Sequence, residues 1–82
     1  MTAEDPTTEE LDTRGLLCPL PVLKARKRLL SLPGGARLRV IADDPAARVD
    51  VPHFCTEQGH TLADQTDLED GALAFVIVNK GG

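Results

Sequence analysis

Between Pro19 and Leu32 the apolar residues fall at helical spacing. Val22, Ala25, Leu29 and Leu32 share one stripe, with Leu30 close beside it. No glycine interrupts the stretch before Gly34, so a first helix is predicted from about Pro19 to Leu32, ended by the turn Pro33-Gly34-Gly35. The period then changes. Ala36–Ala42 alternates, with Leu38 and Val40 on one side and Arg37 and Arg39 on the other, which predicts a half-buried strand. Asp43-Asp44-Pro45 reads as a helix start, an Asx cap followed by proline in the first turn. Pro52 stands too deep in Asp44–Gln58 for one smooth helix. A short turn over Pro45–Arg48 is expected, then a break, then a helix over Val51–Gln58 with Val51, Phe54 and Cys55 on one face and Gly59 as its cap. His60–Thr66 is a weak strand. Leu68-Glu69-Asp70-Gly71 reads as a hairpin turn. Ala72–Asn79 is apolar on both faces and should be a central strand. At the front, Met1–Thr8 is polar and contains Pro6, so residues 1–8 are expected to form a disordered tail. Glu9–Thr13, with Leu11 as its one apolar residue, looks like coil.

Eighty-two residues make one domain, here assigned to 9–82. The chain carries a net charge of −4 and has two phenylalanines, no tryptophan and no tyrosine. It therefore lacks both the basic surface and the stacking platform that a single-strand nucleic-acid binder uses. No apolar run approaches the roughly 18 residues of a membrane span, and no secretory signal is evident. Two cysteines and no signal suit a reducing cytoplasm better than a disulfide scaffold.

The chemistry concentrates at Cys18. Pro19 and Pro21 bracket the first turn of the predicted helix, where backbone N–H groups have no intrahelical partner. Cys18 would sit at or beside the N-cap, facing the positive end of the helix, and its thiol is expected to ionise below the free value. The rival reading is an inert small hydrophobe. Asp43 and Asp44 are either caps or acids brought close to the sulfur. Lys24, Lys27 and Arg28 form either a solvated face or a basic surface for docking a partner. Arg26, which projects between Val22, Leu29 and Leu30, either snorkels out along its stem, pairs with a buried acid or belongs to a partner interface. Cys55 is either a core residue or a second, resolving thiol. His53, Cys55 and His60 match no zinc spacing, so neither metal nor cofactor is expected.

Cys18-Pro19-Leu20-Pro21 resembles the CPxP motif of the TusA/SirA family of small sulfur carriers. The resemblance continues in Arg26-Lys27, Ile41-Ala42-Asp43-Asp44-Pro45-Ala46, Pro52-His53-Phe54-Cys55 and Lys80-Gly81-Gly82, and so covers about residues 10 to 82. The variable position of the motif is Leu20, where the family's tRNA-thiolation carrier has an acid. This departure bears on partner choice and leaves Cys18 untouched. The resemblance makes Glu9–Thr13 a first strand. The order becomes β-α-β-α-β-β, an α/β two-layer sandwich with two helices on one face of a four-stranded mixed sheet. It also implies the function. Cys18 would accept persulfide sulfur from a cysteine desulfurase and relay it to a downstream acceptor protein, for 2-thiouridine formation in tRNA or related sulfur trafficking. Cys18 would be the reactive residue, supported by Pro19, Pro21, Lys24, Arg26, Lys27, Asp43 and Asp44, with no direct contact to nucleic acid or membrane required. Two alternatives stand beside it: a ubiquitin-like carrier using Gly81-Gly82 as a thiocarboxylate, and a non-catalytic regulatory binding module.

Overall fold

A computed structural model describes residues 8–80. The elements run β1 (Thr8–Asp12), α1 (Leu20–Leu30), β2 (Arg37–Ala42), α2 (Ala47–Gln58), β3 (Thr61–Asp67) and β4 (Leu73–Val78). The four strands form one sheet in the order β1-β2-β4-β3. β1 runs parallel to β2, the two joined through α1 as a crossover, while β2, β4 and β3 pair antiparallel. The sheet is therefore mixed, and β4, apolar on both faces, occupies an interior position as its pattern predicts.

The register explains where the helices lie. Leu38 pairs with Ile77, Val40 with Phe75 and Ala42 with Leu73, so all six side chains point to one face. They are buried there with Ala25 and Leu29 of α1 and Ala47, Val51, Phe54 and Cys55 of α2. Both helices thus cover the same face. The opposite face keeps a small cluster of Ile41, Ala72 and Ala74 with Leu68 against it. β1 joins the core through Leu11 alone, and Glu9 and Glu10 pair instead with Arg28 and Arg39. Thr8, assigned from sequence to a tail, is the first residue of β1; the rest of that stretch, and Gly81-Gly82, lie outside the described residues.

Two helix boundaries differ from expectation. α1 starts after Pro19 and stops at Leu30, with Ser31 as its C-cap. α2 is one continuous helix that contains Pro52, although a break was expected between Arg48 and Val51. Its approach is already wound: the N–H groups of Ala47, Arg48 and Val49 donate to the carbonyls of Asp44, Pro45 and Ala46 at 2.9, 3.1 and 3.0 Å. Pro52 then removes only the bond that would end on the Arg48 carbonyl, and Arg48 is an exposed residue, so water can replace the lost donor.

Candidate functional site

The segment between β1 and α1 is held by the junction between β2 and α2. Thr13 is fully buried, and both its N–H and its hydroxyl donate to the Ile41 carbonyl, at 2.7 and 2.6 Å. Gly15, at φ 86°, donates its N–H to Asp43 Oδ1 at 3.0 Å. The left-handed backbone there suits glycine. The Cys18 N–H donates to Asp44 Oδ2 at 2.6 Å. The other Asp44 oxygen accepts from the Ala46 N–H at 3.0 Å. These bonds, first from Cys18 and then from Ala46, hold the Asp44 carboxyl below its ordinary range. Asp44 therefore caps its own turn and braces the cysteine loop at once.

Cys18 is exposed and precedes the helix cap, which is Pro19. Its thiol points at α2 and donates to Asp50 Oδ2 at 2.6 Å. The result reverses the expected shift. The Asp50 carboxylate, first as hydrogen-bond acceptor, then desolvation and the charges of Asp50 and Asp44, raise the Cys18 thiol above its ordinary value. The physical reason is one of size. A helix end offers about half a unit of positive charge, while a carboxylate in hydrogen-bond contact offers a whole negative one.

Around the sulfur runs a cleft of about 220 Å³ lined by Cys18, Pro19, Val22, Asp50, His53, Phe54 and Glu57. His53 Nε2 lies 3.4 Å from Glu57 Oε2, one turn along α2. Three leucines near Cys18 in the chain stay exposed: Leu17 at 70%, Leu20 at 44% and Leu23 at 52%.

The sequence-derived cations lie elsewhere. Lys24, Lys27 and Arg28 line a second cleft with Leu11 and Ser31. Arg26 lines a third, of about 190 Å³, with Gln58, His60 and Lys80 among its neighbours. The structure thus brings Asp43 and Asp44 to the cysteine loop, and does not place Lys24, Arg26 or Lys27 on the lining of the sulfur cleft. Asp50 is the site residue that the sequence reading missed. A continuous α2 puts Ala47, Asp50 and Phe54 on neighbouring turns of one face; the break expected between Arg48 and Val51 hid that alignment. Cys55 is buried, and burial pushes its thiol up to about 11. Among the described residues no group of histidines, cysteines and carboxylates could hold a metal ion.

Comparison with known proteins decides the family. The model of the family "Sulfurtransferase TusA" matches residues 9–79. The chain belongs to the TusA family. A sulfur carrier protein TusA of Pseudomonas fluorescens is 44% identical over 77 residues, which are 94% of this chain and 93% of that protein. A sulfur carrier protein TusA of Pseudomonas syringae pv. syringae is 42% identical over 71 residues, 87% of this chain and 83% of the relative. Among solved structures, the crystal structure of a SirA-like protein from Desulfitobacterium hafniense superposes with a TM-score of 0.78 at 25% identity, covering 85% of this chain and 95% of that one. The β-α-β-α-β-β order with two helices on a mixed sheet is therefore the fold of a TusA/SirA relative. No described helix is long and apolar enough to cross a membrane.

Proposed function

We propose that this TusA-family chain is a persulfide carrier in the cytoplasm, loaded by a cysteine desulfurase at Cys18 and unloaded onto an acceptor protein. The end use is 2-thiouridine formation in tRNA or a related sulfur pathway. One observation carries the reading: of the two cysteines, Cys18 lies exposed at the mouth of a helix on a braced loop, and Cys55 is buried in the core. A carrier must offer its sulfur to two different proteins in turn, and only an exposed sulfur can do so. The exposed leucines at 17, 20 and 23, near Cys18 in the chain, give a visiting protein apolar surface.

Loading is a transfer between sulfurs with no net oxidation. The Cys18 thiol gives its proton to a solvent base. The thiolate attacks the outer sulfur of the donor's persulfide. A Cys18–sulfur bond forms, the donor's sulfur–sulfur bond breaks, and the electron pair returns to the donor cysteine, which takes up a proton. Asp43 and Asp44 position the loop. Pro19 and Pro21 shape the helix start. Lys24, Arg26 and Lys27 serve as contacts for partners along α1, away from the sulfur. The test is uptake of labelled sulfur from a desulfurase and cysteine. Cys18→Ser should take up none while keeping the wild-type unfolding midpoint. Labelling of Cys18→Ser at the wild-type level would remove the proposal.

A further inference from the structure

Asp50 has no part in the transfer as written, yet among the described residues it makes the one side-chain hydrogen bond to the Cys18 sulfur. Its carboxylate is 2.6 Å from Cys18 Sγ and accepts the thiol proton's hydrogen bond. The Cys18 N–H is held by Asp44, and Cys18 itself lines a narrow seam with Pro21 and Val22 from α1 and Asp44, Ala47 and Asp50 from the α2 side. The titratable groups that face the sulfur are Asp44, Asp50, His53 and Glu57, all from α2 or its approach. His53 is paired with Glu57, and α1 contributes only uncharged side chains to both linings. No lysine or arginine among the described residues lines these clefts to offset Asp50.

We propose that Asp50 is a positioning residue that latches the sulfur of the free carrier: its carboxylate keeps Cys18 protonated and turned into the α1–α2 seam. The inference rests on the reading of Cys18 as the sulfur-carrying residue. Its consequence is chemical. The thiolate is the form that attacks persulfides and also the form that oxidants attack. An exposed cysteine held as the thiol is protected between encounters. Its first step in loading, loss of the proton, becomes more favourable when the Asp50 charge is offset or drawn away. The raised thiol value agrees with this geometry.

The experiment is the pH dependence of Cys18 alkylation by iodoacetamide in the full chain, read by peptide mass. Asp50→Asn keeps the size and hydrogen-bonding capacity of the side chain and removes its charge. Its profile should shift to lower pH by about one unit, equivalent to tenfold more thiolate at pH 7. The observed rate at pH 7 should rise about threefold, because a less basic thiolate is also a weaker nucleophile. Asp50→Glu restores the charge and should return the profile to the wild-type position. A purely structural role would move the unfolding midpoint without moving the profile. The latch is refuted if the Asp50→Asn profile superimposes on wild type or moves to higher pH, or if Asp50→Glu reacts like Asp50→Asn. Failure of wild type to take up sulfur would instead remove the carrier reading and leave the alkylation profiles standing, so the two failures are distinguishable.

Discussion

Cys18 and Cys55 are the same residue type in opposite surroundings, one exposed and one buried. At Cys18 a carboxylate overrides the helix end, and at Cys55 the surrounding apolar side chains alone disfavour the charged form. Burial of the Cys55 thiol links it to stability. Its folded value is raised, so its contribution is complete below the unfolded value of ~8.5 and is lost as pH rises toward about 11. Urea midpoints should fall over that window, and Cys55→Ala should flatten the fall relative to wild type. Cys55→Ala should also keep sulfur uptake, because a core residue has no step in the transfer. Loss of release to an acceptor in that variant would make Cys55 a resolving thiol after all. Asp44 is a second case. Asp44→Ala removes the acceptor for both the Cys18 and the Ala46 N–H groups. Hydrogen exchange at the Cys18 amide should accelerate; protection equal to wild type would show that the brace does not hold in solution. Cys18, Asp43 and Asp44 were legible in the sequence because proline and Asx spacing mark loop and helix starts locally. Asp50 was not, because its contact spans 32 positions and depends on how α2 passes α1.

Between elements, a long-range contact ends α1. The Asn79 side chain, at the end of β4, donates to the carbonyls of Leu29, Leu32 and Pro33 at 3.0, 2.9 and 3.2 Å. It supplies a helix C-terminus with the donor that the helix itself cannot provide. Asn79→Ala should cost about 1 kcal/mol, since it removes this donor while the Leu32 and Ala36 N–H groups still reach the Leu29 and Pro33 carbonyls, and the loss is measurable as a lowered urea midpoint with unchanged slope. A midpoint within experimental error of wild type would mean that water takes over these carbonyls. The sequence showed Asn79 only as the last residue of a strand; its partners lie 46 to 50 positions away. The stripe of α1, the alternation of β2 and the all-apolar β4 were readable because burial imposes period on sequence. α2 was misread where a local rule about proline met a helix whose missing bond falls on an exposed residue.

For the whole molecule, the sheet sets what is fixed and the helix layer sets what can be reached. One sheet face carries the core under α1 and α2, and the reactive sulfur sits where those helices meet. Three carboxyl groups should make the fold acid-sensitive. Asp12, Asp44 and Asp70 ionise below their ordinary range, held by Arg14, by the Cys18 N–H and by the Ala72 N–H respectively as the first cause. A depressed folded value contributes stability above the unfolded value of ~3.9 that disappears as pH falls through the folded one. Midpoints should therefore hold from neutrality to about pH 5 and drop below it, with the Cys18 loop released as Asp44 is protonated. The exposed ion pairs Arg39–Glu10 and Arg48–Asp67 should add little, and their removal should leave the midpoint nearly unchanged. The claim on which the account rests is that this fold exists to present one sulfur atom. Intact-mass spectrometry after incubation with a cysteine desulfurase and cysteine tests it directly. The account predicts a gain of one sulfur atom, removed by reductant and mapped by peptide mass to Cys18; an unchanged mass, or added sulfur found on Cys55, would contradict it.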